Sequence, residues 1–326
     1  MEKIYVESAN TGIIYESDLP LYDYFKNNGN FLEFPGLCVS KDFISNNSDY
    51  HLIYKNSTNQ QLKYEGNNIE IYYPIEEINE LSIIYPGYIL LENARLQNRA
   101  VTCHSACVEK DGKAILLLGK TGSGKTTTAV NLCLNYGYNI VANDRSVIRD
   151  SGDFLEVIDG TKFIFLRYES IKRNLPNLLY LFKDKDIDVN YCSQNKLIDT
   201  WRKKIRLLPT DLNINICDNP SKIVKIIMLH VDESQSELIT NTDNALVTRL
   251  YLNENLSATI RGLYTTFRDN KNIESLYIPS LDSENHYQFR KDIISKIMND
   301  CEIEYISGQI SDVSKYIDEK VKKIKR

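Results

Sequence analysis

A chain of 326 residues, 42% hydrophobic and 25% charged, is long enough for one large domain or two modest ones and has an ordinary globular balance. Its net charge of -5 gives no global attraction to nucleic acid or to an anionic membrane, and its longest apolar runs, such as AILLLG and IVKIIML, are far too short to span a bilayer. The 7 cysteines are irregularly spaced, only Cys103 and Cys107 lie close together, and no second Cys/His pair completes a zinc-finger pattern, so they read as free thiols of a cytoplasmic protein. The start MEKIYVESANTG is polar and lacks the apolar segment of a signal peptide.

Residues 1 to 80 carry short alternating stretches, IYVES, YHLIYKN and IEIYYPI, which predict a small strand-rich N-terminal region. The segment LSIIYPGYILLENARLQNRA (81–100) has apolar residues at helical spacing around Tyr88, Leu90, Leu91 and Leu96 and predicts a helix. Two β-prone runs then flank KDGK, a hairpin signal at Asp111-Gly112. The second run leads into GKTGSGKT (119–126), and TTTAVNLCLNYG after it predicts a helix stopped by Gly137. YNIVA (138–142) predicts a short buried strand ending at Asn143-Asp144-Arg145. Turn signals at Ser151-Gly152 and Asp159-Gly160 predict a three-stranded meander over 146–166.

Residues 168–206 read as helical and charged, and SKIVKIIMLHVD (221–232) as a core strand. NALVTRLYLNENL and HYQFRKDIISKIMNDC predict amphipathic helices, as does the Lys-rich tail from about 309. Interleaved strands and helices predict an α/β or α+β class with a mixed β-sheet core. The expected division is an N-terminal strand-rich region with its linking helix over 1–95, a nucleotide-binding core over 96–290 and a helical tail over 291–326.

The loop fits G-x-x-x-x-G-K-[ST] in full, between an apolar strand and a helix. In such a loop Gly119, Gly122 and Gly124 let backbone N–H groups converge on phosphate oxygens, and the helix presents its positive end to the same anion. Lys125 reaches the β- and γ-phosphates and the Thr126 hydroxyl binds Mg2+, so Gly119, Lys120, Thr121, Gly122, Ser123, Gly124, Lys125, Thr126 and Thr127 form the expected site for ATP and Mg2+.

Phosphoryl transfer needs a carboxylate near the metal and a base for the acceptor. Asp144 lies 19 residues after Lys125, at a strand end; if that strand pairs beside the loop's own, Asp144 lies next to the γ-phosphate, and the plainer alternative is that Asn143-Asp144, both turn-favouring, is only the turn into the meander. His104 lies 15 residues before Gly119, on a run that the Asp111-Gly112 hairpin folds back along the loop's strand.

The stretch CHSACVEKDGKAILLLGKTGSGKTTTAVNLCLNYGYNIVANDRSVI (103–148) resembles the HPr kinase/phosphorylase group, whose nucleotide fold is shared with ATP-type phosphoenolpyruvate carboxykinase. The family's order is a His ahead of the loop, a short hairpin, the Gly-Lys-[Ser/Thr] loop, a helix ending in Gly, and a paired Asp. Here His104, 119–126, Gly137 and Asn143-Asp144-Arg145 follow that order with nearly the same gaps. The resemblance covers about 45 residues tightly and perhaps 180 loosely.

It implies a kinase for a Ser or Thr hydroxyl of a small protein or peptide. Asp144 and His104 would serve as base and as organisers of metal and acceptor, Arg145 would be an adjacent cation, and Asp144 with Thr126 would hold Mg2+. Asn143 stands where the family has an Asp, and an amide cannot accept the acceptor's proton. No E-x-R-G-x-G stretch follows, TIRGLY (259–264) lies too far along the chain, and the first 95 or so residues do not resemble the family's N-terminal domain. The implied protein is a divergent relative, like the kinases that modify peptide precursors.

Further cations for the transferred phosphoryl group are Arg202, Lys203, Lys204 and Arg206 in WRKKIR, which also read as a solvated helix face. The resembled family forms ring-like oligomers, which leaves a homo-oligomer open. A small-molecule alcohol kinase is the alternative enzyme, although such kinases usually begin with the loop and here 118 residues precede it. A nucleotide-binding regulatory module with weakened catalysis is the non-enzymatic one.

Overall fold

The computed structural model describes residues 1–29, 32–41, 49–182, 204–241, 245–261, 266–271 and 273–324. In chain order the strands are β1 (Glu2–Ser8), β2 (Thr11–Ser17), β3 (Cys38–Ser40), β4 (His51–Asn56), β5 (Gln61–Glu65), β6 (Asn68–Tyr73), β7 (Ala100–His104), β8 (Ala106–Lys110), β9 (Lys113–Leu118), β10 (Asn139–Ala142), β11 (Arg145–Asp150), β12 (Leu155–Gly160), β13 (Ile164–Arg167), β14 (Lys204–Leu207), β15 (Ser221–Val231), β16 (Ile239–Asn241), β17 (Thr266–Arg268), β18 (Glu274–Tyr277) and β19 (Glu302–Gly308). The helices are α1 (Leu21–Asn28), α2 (Glu80–Gln97), α3 (Lys125–Tyr136), α4 (Tyr168–Asn174), α5 (Ala245–Arg261), α6 (Glu284–Asp300) and α7 (Ile310–Lys323). This is a mixed α/β architecture with several mixed sheets, and two compact units divide it.

The first unit takes Met1–His104, Val147–Asp153 and Arg249–Lys296. Its sheet runs β3-β1-β2-β4-β6-β5, with β2, β4 and β6 mutually parallel and the other pairs antiparallel. The predicted strands at IYVES, YHLIYKN and IEIYYPI are β1, β4 and β6, and their alternation buries Ile4, Val6, Leu52, Tyr54, Ile69 and Ile71. Helix α2 starts where Asn79 accepts from the Leu81 N–H at 2.9 Å. It buries Leu90 and Leu91 completely.

The second unit takes Ser105–Ser146, Phe154–Thr248 and Ile297–Arg326. Its strands are ordered β10-β8-β9-β15-β12, with β19 beside β15 and β16 beside β19. The hairpin β8–β9 turns at Asp111 and Gly112, both with positive φ (55° and 77°), as a two-residue turn with the twist of its strands requires. Helices α3 and α7 cover the core: Ala129, Val130 and Leu132 pack with Val313, Ile317 and Val321 against Ile115, Leu117 and Ile227. Helix α3 ends at Gly137 in the left-handed conformation, as its sequence predicts.

Four expectations are corrected. The meander lacks its third strand: β13 leaves the sheet and pairs with β14, and Gly160 is pressed against Ala142 and the Arg145 carbonyl instead of turning the chain back. Of the stretch 168–206, residues 183–203 lie outside the described residues; the described part before them is helical in α4 and then tightens into the 3-10 turn Pro176–Phe182, since Pro176 cannot continue α4. Lys204 and Arg206 lie on a strand, not a helix face, and Arg202 and Lys203 lie outside the described residues. His104 ends β7 rather than lying on the hairpin strand, which begins at Ala106. The six described cysteines are unbridged, and no helix of the described residues is long and apolar enough to cross a membrane.

Candidate functional site

Strand β9 is buried from Ala114 to Leu118 and delivers the chain to Gly119. A Cβ on Gly119 would lie 2.1 Å from Ser123 Oγ and 2.8 Å from the Leu229 carbonyl oxygen. One on Gly124, whose φ is +94°, would lie 2.6 Å from Val231 Cγ2. Two glycines of the motif are therefore required by close approach to β15 and within the loop itself.

Ser123 donates its N–H to the Lys120 carbonyl at 3.0 Å, and its own carbonyl accepts from the Val231 N–H at 2.8 Å. Its buried Oγ has no hydrogen-bond partner among the described residues. Lys125 starts α3 and folds back over the loop, donating from Nζ to the Gly119 carbonyl at 2.6 Å and reaching the Lys120 carbonyl at 3.5 Å. It is only 8% exposed. Lys120, Thr121 and Gly122 face solvent, Thr126 is half-buried, and the buried Thr127 has its Oγ1 2.9 Å from Ser170 Oγ on α4.

Strand β10 is antiparallel to β8, and β8 is antiparallel to β9. So β10 and β9 run the same way, and Asn143-Asp144-Arg145 emerges from the same sheet edge as the loop. The condition that β10 pairs directly beside β9 is not met, because β8 lies between them. Thr161 pins this turn. Its carbonyl accepts from the Asn143 N–H at 2.9 Å, its N–H donates to the Arg145 carbonyl at 3.0 Å, and its Oγ1 accepts from the N–H of Asp144 (3.2 Å) and of Arg145 (3.1 Å). A Cβ on Gly160 would stand 2.1 Å from Ala142 Cβ.

Asn143 and Arg145 are buried and Asp144 is half-buried. Asn143 Oδ1 has no hydrogen-bond partner among the described residues. The Asp144 carbonyl accepts from the Ser105 N–H at 3.1 Å. His104 is the residue before Ser105 and closes the first stretch of the other unit.

Two residues at this edge escaped the sequence reading. Thr161 directly follows the Asp159-Gly160 turn signal and carries no motif of its own. Asp232 directly follows β15, whose Met228 is in register with Leu118, and β15 is parallel to β9. An apolar run closed by an acid, IVKIIMLHVD, was the available signal. Asp232 Oδ1 accepts from the Ser234 hydroxyl at 2.7 Å and N–H at 2.9 Å, which holds its carboxyl below the usual range. Among the described residues no group of three or more His, Cys, Asp or Glu side chains gathers at metal-binding distance. Mg2+ in phosphoryl-transfer sites needs no such cage, being held by one or two carboxylates together with substrate oxygens.

No family model matches the chain, and no curated protein matches it. Among solved structures it is similar to the Hpr(Ser) kinase/phosphatase from Coxiella burnetii, at 9% identity and a TM-score of 0.25, over 61% of this chain and 91% of that one. That is a distant relationship at most.

Proposed function

We propose that this protein is an ATP- and Mg2+-dependent kinase that transfers the γ-phosphoryl group to a Ser or Thr hydroxyl of a small protein or peptide. The observation that carries the reading is the fit of the Gly-rich loop to an anion. Its lysine amine is buried and held by two of the loop's own carbonyls, and the Ser123 hydroxyl inside the loop is buried with no hydrogen-bond partner among the described residues. Burying an amine and a hydroxyl on a tight glycine loop is costly. A phosphate oxygen would give the Ser123 hydroxyl an acceptor and the lysine amine an anion to neutralise its charge.

In this reading the Lys125 amine turns from the loop carbonyls to the β- and γ-oxygens, and the loop N–H groups hold the same phosphates. Thr126 and Asp144 would hold Mg2+, which supplies charge neutralisation on the transferred group. Asp144 takes the proton of the acceptor hydroxyl, and His104 is the second candidate base. Asn143 cannot take that proton and would instead orient a donor through its open Oδ1. Arg145 is rooted in the same turn, and Asp232 adds a carboxylate beside the loop.

The test is intact-mass spectrometry of small proteins and peptides encoded beside this gene, incubated with the protein, ATP and Mg2+. Gain of one phosphate on an acceptor, lost with Lys125→Ala, supports the reading. ATP consumption with no modified peptide would move it to a small-molecule alcohol. Binding of ATP with no turnover would leave a nucleotide-binding module.

A further inference from the structure

The ribbon β13–β14 keeps one face in the second unit's core, through Ile164, Leu166, Ile205 and Leu207. Alternation along the strands puts Phe165, Arg167, Lys204 and Arg206 on the other face, where all three cations are exposed. The register sets Arg167 opposite Lys204 and Phe165 opposite Arg206. Like charges directly opposite each other destabilise an antiparallel pair, so this face is not arranged for the ribbon's own stability.

Phe165 holds the cations in place. Lys204 Nζ lies 4.8 Å and Arg206 Cζ 5.0 Å from its ring centroid. Phe163, itself buried, braces the ring edge-on at 5.0 Å. Helix α4 continues directly from β13 with Lys172 and Arg173 exposed. The same helix carries Ser170, whose Oγ is 2.9 Å from Thr127 Oγ1 at the start of α3. The cationic face and the Gly-rich loop thus stand on one framework inside one unit.

We propose that this face binds an acidic segment of the peptide acceptor, a specificity that rests on the kinase reading above. Lys204 and Arg206 are two strand residues apart, roughly 7 Å, the repeat of alternate carboxylates along an extended peptide. The flat guanidinium fork of Arg167 matches a carboxylate with two parallel hydrogen bonds. The aromatic ring already carries two cations, so a nucleobase would have to displace them to stack. The net charge of -5 also works against a nucleic-acid ligand.

The experiment is fluorescence anisotropy with three labelled probes: a short peptide of glutamates around one central serine, the same peptide with lysines, and a single-stranded oligothymidylate. Wild type should bind the glutamate peptide best, and added salt should weaken that binding. The double variant Arg167→Ser, Lys204→Ser should weaken it about tenfold, and Phe165→Leu by about threefold. Affinity for a fluorescent ATP analogue should not change in either variant. The double variant Arg167→Glu, Lys204→Glu should reverse the preference toward the lysine peptide, a gain that misfolding does not produce.

Lys125→Ala should lose the ATP analogue and keep the glutamate peptide, so failure of the nucleotide assignment is seen apart from failure of this one. Glutamate-peptide binding that ignores all of the ribbon variants, or tighter binding of the oligothymidylate, overturns the proposal.

Discussion

Thr161 clamps Asp144: its side-chain oxygen accepts the Asp144 N–H at 3.2 Å from a position 17 residues further along the chain. The same oxygen takes the Arg145 N–H at 3.1 Å, so one hydroxyl fixes the peptide units on both sides of the candidate carboxylate. Thr161→Val keeps the volume and removes that acceptor. The expected loss of stability is about 1–3 kcal/mol, since two donors are left in a buried turn. Turnover should fall with it, and Thr161→Ser should restore both. Thermal unfolding together with an ATP-turnover assay checks this; a Thr161→Val variant with unchanged melting and activity would show that the clamp does not position Asp144.

Gly160→Ala probes the same turn from below. The new methyl group would meet Ala142 Cβ at 2.1 Å, closer than any packing tolerates, with the Arg145 carbonyl oxygen at 2.8 Å. A loss of roughly 1–3 kcal/mol is expected from the forced backbone shift. Denaturant unfolding measures it, and a cost below a few tenths would contradict the close approach.

Lys125→Ala should abolish phosphotransfer without unfolding the protein. The lysine amine donates to the loop carbonyls of Gly119 and Lys120, and the loop is also tied down by the Val231–Ser123 and Ser123–Lys120 hydrogen bonds. Circular dichroism should be unchanged while turnover disappears. A fully active variant would remove the lysine from the mechanism.

Asn143→Asp tests whether the amide is an adaptation or a decay. Asn143 is 3% exposed, and a carboxylate there would be buried beside Asp144. Two carboxylates in one buried turn repel, so the variant should be less stable and no faster than wild type. A large gain in ATP turnover would instead identify a module whose catalysis has been weakened by the amide.

In the first unit, Asp150 is pulled to about 2: burial works against its charge, and the Lys296 amine at 2.7 Å, the Gly152 N–H at 3.0 Å and Arg99 outweigh it. A folded value below the unfolded one means that this contribution is present above about pH 4 and is lost as pH falls toward 2. Asp150→Asn should therefore cost about 1–2 kcal/mol at pH 7, after allowance for the partly exposed partners, and little near pH 2. Unfolding titrations of both forms across that range should converge at the acid end.

Much of this arrangement is legible in local chemistry. The hairpin at Asp111-Gly112, the Gly137 stop of α3 and the full Gly-rich motif all depend on residues within a few positions of one another, where φ preference and apolar period speak directly. The errors lie where a residue's environment comes from far along the chain. Gly160 reads as a turn, yet it is small because Ala142 lies against it. Lys204 and Arg206 read as a helix face, yet they pair in register with Arg167 and Phe165. Asp232 reads as the end of a core strand, and only the parallel pairing of β15 with β9 sets it beside the loop.

The sequence by itself determined the strand–loop–helix, its lysine and the acid that ends the next strand, because those follow from contiguous residues. The tertiary structure alone decided that β8 separates β10 from β9, that Thr161 holds Asp144, and that a cationic ribbon shares the loop's framework. Strand order and long-range hydrogen bonds follow from which surfaces can be buried together, and no local pattern records that choice.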